Sequence, residues 1–205
     1  MKLKNMIPML LSPMIAAFLM GCVHVIVPIN PEAAGVKTPA STVAVEFRNE
    51  NRILILDENG IHHLPLPPKA AMAYTNLQRQ IVFALYEEGL SVAYDVPRWE
   101  EFLQKAPAPR RNPKPPIVDK SACDVRLVVG LTDYKKGYFT LTDVWGNVVQ
   151  RGECINMLDC VVHFLNNKTG QEFGEITWSF PNGIQMQRSI GLAYFVKKKL
   201  SQPSK

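Results

Sequence analysis

Past its first 21 residues, the sequence contains no apolar run of the roughly 20 residues that a membrane-spanning helix needs. It also lacks a large excess of charge, since 23 Lys and Arg stand against 18 Asp and Glu, a formal net charge of +5. Without Lys2 and Lys4 the excess falls to +3, with 21 basic and 18 acidic residues. So small an excess does not require a nucleic-acid partner, and we predict none.

Catalytic motifs are missing as well. The sequence contains no G-x-S-x-G, G-x-G-x-x-G, P-loop, H-E-x-x-H or repeated C-x-x-C pattern. Its acidic residues fall mostly at turns or strand ends, where they serve local backbone hydrogen bonds; examples are Asp57, Asp95, Asp124 and Asp143. We therefore predict that the protein is not an enzyme and uses no cofactor.

The first 22 residues have the layout of a secretory signal. Lys2 and Lys4 precede an apolar run over 6–20, and Leu19-Met20-Gly21-Cys22 follows the pattern of a signal cut at a cysteine. This pattern resembles the lipobox of bacterial lipoproteins. The resemblance implies that residues 1–21 are removed and that Cys22 is acylated, so that palmitate-type chains hold the protein in the lipid bilayer.

An uncleaved membrane anchor is the alternative, but an apolar run of about fifteen residues interrupted by Pro8 and Pro13 is short for a spanning helix. Three acyl chains would make attachment effectively permanent. Val23 is not the aspartate that keeps such lipoproteins at the inner membrane in enteric-type bacteria. The resemblance therefore implies the outer membrane, with the domain on the periplasmic face.

Residues 22–41 predict a lipidated tether, because Pro28, Pro31, Pro39 and Gly35 disfavour regular structure. The alternative is that the apolar residues 23–29 pack on a partner or on the protein itself. Residues 42–205 then form a single periplasmic domain.

The four cysteines divide into one lipid carrier and three others. Because three cysteines cannot all pair within one chain, we expect at most one disulfide, between the near neighbours Cys154 and Cys160. Cys123 would then be a small buried apolar residue. A Cys-His nucleophile that uses His163 is disfavoured, because no orienting partner accompanies either cysteine.

A proline-rich loop occupies 106–116, where five prolines exclude a helix or a central strand. Its basic residues Arg110, Arg111 and Lys114 are candidates for contact with an acidic partner, peptidoglycan or anionic lipid. The alternative is a solvated insertion with no binding role.

Hydrophobic periodicity predicts an α+β domain, with a mixed or mainly antiparallel sheet packed against one or two amphipathic helices. A helix over 70–88 is capped by Gly89, and a second helix begins near Gln187. His62 and His63, adjacent on a predicted strand, would face opposite sides and so cannot share a metal ion. The predicted strands are 42–47, 52–56, 61–66, 91–96, 125–131, 138–144, 148–151, 160–165 and 172–180, and a short helix starts at Pro97.

Three short motifs resemble the periplasmic α/β module of curli-secretion and Tol-type envelope lipoproteins. They are a helix end with Ala84-Leu85 and Gly89-Leu90, a strand with Ala122, Asp124 and Gly130, and a hairpin with Thr169-Gly170. Lipoproteins of conjugation systems are similar in size and layout. The resemblance implies a sheet used for assembly contacts, including contacts between copies of the chain, rather than for catalysis.

Two functional hypotheses follow. The first is a non-catalytic structural or assembly component of an envelope complex, such as a secretion, transport or conjugation apparatus. The second is a periplasmic binding or hydrolytic protein that acts on cell-wall or envelope material through the basic proline-rich loop.

Overall fold

In the described part of the chain, two α-helices pack with a mixed sheet, as the hydrophobic periodicity predicts. The computed structural model describes residues 24–50, 54–57, 60–63, 66–94 and 119–201. The helices are α1, Pro68–Glu87, and α2, Gln185–Ser201. The strands are β1 His24–Val27, β2 Thr42–Asn49, β3 Leu54–Asp57, β4 Gly60–His63, β5 Ser91–Ala93, β6 Val125–Thr142, β7 Val148–Asn166 and β8 Glu172–Pro181.

The main sheet has six strands in the order β1-β8-β7-β6-β2-β5. The pairs from β1 to β6 are antiparallel, whereas β2 is parallel to both β6 and β5. Strands β3 and β4 form a separate antiparallel hairpin across the predicted Asn-Gly turn. The α+β class with a mixed, mostly antiparallel sheet is thus confirmed.

One face of the sheet carries both helices and the hydrophobic core. The buried stripe of α1 includes Ala70, Leu77, Ile81 and Leu85, which recur near the helical period. Its Tyr74 hydroxyl lies 2.8 and 2.9 Å from two strand carbonyl oxygens, those of Arg48 and Val129. The buried face of α2 consists of Arg188, Ser189, Leu192, Ala193, Val196 and Leu200.

Gly89 ends α1 as the sequence predicts. Its φ of 84° is left-handed, a conformation that glycine adopts without a side-chain clash. The Leu90 amide then donates to the Leu85 carbonyl at 3.2 Å, and the Leu90 side chain is buried. This cap turns the chain directly into β5.

The segment that follows the signal is part of the fold rather than a flexible tether. Strand β1 pairs with β8, and Ala34, Val36 and Ala40 are buried in the core. The Asn166 side chain donates to the Ala34 carbonyl at 2.8 Å, and the Ala40 amide donates to the Leu200 carbonyl at 2.9 Å. The alternative in which this segment packs on the protein itself is therefore the correct one for residues 24–41.

Strands β6 and β7 are much longer than the predicted segments. The sequence separates 125–131 from 138–144 and 148–151 from 160–165, but each pair is one continuous strand. Three register shifts interrupt the pairing of β6 with β7, the first of them between Leu131 and Asp133. Each shift breaks the alternation of apolar and polar residues, so the sequence pattern does not show that each strand is continuous. The short helix predicted from Pro97 lies outside the described residues, as does the proline-rich loop.

Candidate functional site

Strands β6 and β7 continue beyond the sheet as a two-stranded projection. Strand β2 pairs with β6 only as far as Leu131, and β8 pairs with β7 only as far as Met157. We call the remaining hairpin the arm, 136–155. From Lys136 to Thr142 the strand rises about 20 Å at roughly 3.3 Å per residue. Within the described part of the chain, both edges of the arm have no strand partner.

The arm exposes large apolar side chains. At its tip, Val144 and Trp145 are 92% and 83% exposed, and Tyr138, near its base, is 80% exposed. The other exposed apolar residues of the arm are Leu141, Val148 and Val149. Single exposed apolar residues are common on proteins, but six on one short hairpin favour an interaction surface. The sequence analysis did not predict this site. The signal that could have identified it is the presence of Val144 and Trp145 in a turn, where polar residues are usual.

The turn that presents Trp145 is organised by one carboxylate. Asp143 Oδ1 accepts hydrogen bonds from the Trp145 and Asn147 amides, both at 2.9 Å, and Oδ2 accepts from the Asn147 side chain at 3.0 Å. Gly146 supplies the left-handed residue, with φ of 84°. The hydrogen bonds from Asn147, first from its side chain and then from its backbone, lower the pKa of Asp143.

We expect Asp143→Ala to loosen the tip without unfolding the protein. The Trp145 and Asn147 amides lose their acceptor, so their hydrogen exchange should accelerate at neutral pH. In the unchanged protein the folded-state pKa of Asp143 is lowered, so the turn's stabilisation is present above the ordinary carboxyl pKa. It should be lost as the pH falls from about 3.8 through the lower folded-state pKa.

Amide exchange measured by NMR checks this expectation. Asp119→Ala is the matched control, because Asp119 also accepts an amide hydrogen bond, from Ser121, far from the arm. Unchanged exchange at Trp145 and Asn147 in Asp143→Ala would show that the turn is held by other contacts.

The chain joins the domain at the end from which the arm projects. Strand β1 is antiparallel to β8, and His24 pairs with Thr177 while Val27 pairs with Glu175. His24 is therefore nearer than Val27 to Pro181, where the arm begins. Cys22 itself lies outside the described residues, but two residues of chain reach at most about 7 Å. An acyl group on Cys22 would hold this end of the domain close to the bilayer.

A groove of about 600 Å³ lies at the base of the arm, between the first turns of both helices and β7. Its lining includes Lys69, whose ammonium donates to the Glu153 carbonyl at 3.2 Å, and the thiol of Cys154, which donates to Asn156 Oδ1 at 3.2 Å. No histidine is among the described residues that line the groove, so these residues do not pair Cys154 with a histidine.

The predicted disulfide does not form. Cys154 and Cys160 both lie on β7, where six residues of extended chain separate them by about 20 Å, far beyond the Cα distance of a disulfide. Cys123, Cys154 and Cys160 are free thiols. Burial raises the pKa of Cys123 and, more strongly, that of Cys160, so neither is a reactive thiolate.

Several predicted site residues cannot be placed. Arg110, Arg111 and Lys114 lie outside the described residues, as does Cys22. The backbones of His62 and His63 are in β4. Among the described helices, none is long and apolar enough to span a membrane.

Comparison with known proteins finds only weak similarity in the arrangement of helices and strands. No protein-family model matches the chain, and no curated protein matches its sequence. The PelC dodecamer from Paraburkholderia phytofirmans is similar at 10% identity and a TM-score of 0.42, over 89% of this chain and 100% of that chain. The lipoprotein GNA1162 from Neisseria meningitidis is similar at 16% identity and a TM-score of 0.32, over 78% of this chain and 99% of that chain.

A DUF4136 family protein from Bacteroides thetaiotaomicron is also similar, at 9% identity and a TM-score of 0.38, over 88% of this chain and 97% of that chain. Scores this low assign neither a family nor a function to this chain. The function of this chain is therefore inferred from its own residues.

Proposed function

We propose that this chain is a lipid-anchored, non-catalytic assembly component of a bacterial envelope complex and that the arm contacts its partners. The observation that carries the proposal is the arm itself. It is a ribbon with an apolar tip at the end of the domain nearest His24, and neither edge pairs with another strand among the described residues. From the lipobox resemblance we propose that this complex is at the periplasmic face of the outer membrane.

The energetics of the arm favour a partner. An isolated two-stranded hairpin is at best marginally stable in water, and unpaired edges invite pairing with another strand. Burying a large apolar side chain stabilises by about 1.5–3 kcal/mol, so contacts at Val144, Trp145 and Tyr138 together supply several kcal/mol toward association. A partner that covers the tip and pairs with an edge would satisfy both features.

The chemistry of the described residues supports assembly over hydrolysis. The two well-buried cysteines are held as thiols, and the groove lacks a histidine. The partner under this proposal is a protein of the envelope, either a different chain or a second copy of this one, and mass measurement separates the two.

Photo-crosslinking from the arm tests the proposal. We expect p-benzoylphenylalanine in place of Tyr138 to give a discrete crosslinked product in intact cells, because that side chain is on the exposed arm. Tyr194 is the matched control: it is an exposed tyrosine on α2, away from the arm. A product at twice the mass of the mature chain identifies a second copy, and any other discrete mass identifies a different partner.

Two results would contradict the proposal. One is the absence of any crosslinked product from position 138 at native expression. The other is the same set of products from positions 138 and 194, because that pattern indicates random collisions rather than a defined arm contact.

A further inference from the structure

The sheet face opposite the helices carries a cluster of metal-ligating side chains that the proposed function does not use. His163 on β7 pairs directly with Glu175 on β8, and Glu172 lies one bulge further along β8, beside Leu165. His163 Nδ1 is 2.9 Å from Glu172 Oε1 and 3.9 Å from Glu175 Oε2. One ligand atom from each of the three residues lies within 4.8 Å of the other two.

Both β8 carboxylates approach the same ring nitrogen. If His163 only needed a hydrogen-bond acceptor, Glu172 alone would satisfy Nδ1. Two carboxylates converging on one nitrogen instead outline the position of a single ion bound by one nitrogen and two oxygens. Cross-strand pairing fixes the spacing, because His163 and Glu175 are opposite each other on adjacent strands.

A third carboxylate lies at the other ring nitrogen. Glu50 Oε2 is 3.9 Å from His163 Nε2. The Glu50 side chain crosses over Gly130, where an added Cβ would meet Glu50 Cδ at 2.6 Å. The absence of a side chain at Gly130 therefore lets Glu50 reach His163. At 3.9 Å the Glu50 carboxylate is within ion-pair distance of Nε2 but is not hydrogen-bonded to it. It lies on the side of the ring where a metal-ligating histidine usually has the carboxylate that orients it.

The local charge favours a cation at this position. Glu50, Glu172 and Glu175 surround one imidazole. The arginines of this face, Arg48 and Arg126, are 2.8 and 4.0 Å from Glu46, and Arg48 also interacts with the charge of Glu50. Among the described residues, no lysine or arginine lies within 4.0 Å of Glu172 or Glu175. Glu172 and Glu175 repel each other until a cation lies between them.

We propose that His163, Glu172 and Glu175 form a binding site for a divalent transition-metal ion of the zinc class, with Glu50 as the outer-shell partner of His163. One imidazole nitrogen and two carboxylate oxygens leave a fourth tetrahedral position for water or a partner side chain. Imidazole selects zinc over magnesium, which takes oxygen ligands in an octahedral arrangement. The cluster lies on the body of the sheet, separate from the arm.

Zinc titration of the purified full-length protein in detergent tests the site. Isothermal calorimetry should show one zinc ion per chain and no comparable magnesium binding. His163→Ala and Glu175→Gln should each abolish high-affinity binding, and Glu50→Gln should weaken it at least about 10-fold, the effect typical of an outer-shell partner. Gly130→Ala should weaken zinc binding in the same way by displacing Glu50.

Glu153→Gln is the matched control, because Glu153 is an exposed glutamate on β7 outside the cluster. It should bind zinc like the unchanged protein. Circular dichroism of every variant separates loss of the site from loss of the fold. The proposal is overturned if the unchanged protein binds no zinc at micromolar concentration, or if a folded His163→Ala variant binds as tightly as the unchanged protein.

Discussion

Replacing Cys22 with Ser should move the protein from the membrane fraction to the soluble fraction while leaving the domain folded. Serine has no thiol to acylate, and each lost CH₂ of an acyl chain removes about 0.8 kcal/mol of membrane affinity. The hydrophobic core is formed by residues between Ala34 and Leu200, so it does not include the lipid or the residue that carries it. Fractionation with an alkaline carbonate wash, followed by circular dichroism of the released protein, measures both parts of this prediction.

Cys154→Ser is the matched control for this experiment. Cys154 is a partly exposed free thiol on β7, so its replacement should leave the protein attached to the membrane. If the Cys22→Ser variant stayed in the washed membranes, the lipobox assignment would be wrong and the apolar run over 6–20 would be the anchor.

Phe164→Ala should lower the free energy of unfolding by about 3–5 kcal/mol, the cost of removing a fully buried phenylalanine from a packed core. Phe164 is completely buried on β7, with its ring 6.1 Å from that of Phe173. The surrounding strands and helices hold the cavity open, so little relaxation can offset the loss. Urea unfolding monitored by tryptophan fluorescence measures the change.

Phe139→Ala is the matched comparison, because it removes the same side chain from the arm instead of from the core. Phe139 is only partly buried, and its ring lies over Gly152, where an added Cβ would be 2.8 Å away. We expect a loss of about 1 kcal/mol or less, because the arm is outside the core. A loss as large as that of Phe164→Ala would mean that the arm belongs to the cooperative core and is not a free assembly element.

The helices could be read from the sequence because their signal is local. The apolar stripe of α1 repeats within one segment, and Gly89 marks its end through its own backbone preference. The strand β2 and the β3–β4 hairpin were predicted for the same reason, from alternation and a turn sequence. No knowledge of a distant partner was needed for any of them.

The errors share one cause, which is dependence on distant residues. Pro28, Pro31 and Pro39 suggested a tether, yet burial of Ala34 and Ala40 depends on contacts with Asn166 and Leu200 far along the chain. Cys154 and Cys160 seemed able to pair because their separation is short in sequence. That separation becomes about 20 Å only when both lie on one extended strand.

The sequence by itself determined the helices and the general α+β class, because each depends on short runs of residues with their own periodicity. The lipid anchor at Cys22 stays a prediction from the sequence. Only the tertiary structure decided that β6 and β7 extend beyond β2 and β8, and that the side chain of His163 lies close to those of Glu172 and Glu175. Both features depend on where strands β2 and β8 stop and on the register of β8 against β7. Register is a property of the assembled sheet, since a shift of one residue turns each side chain to the other face.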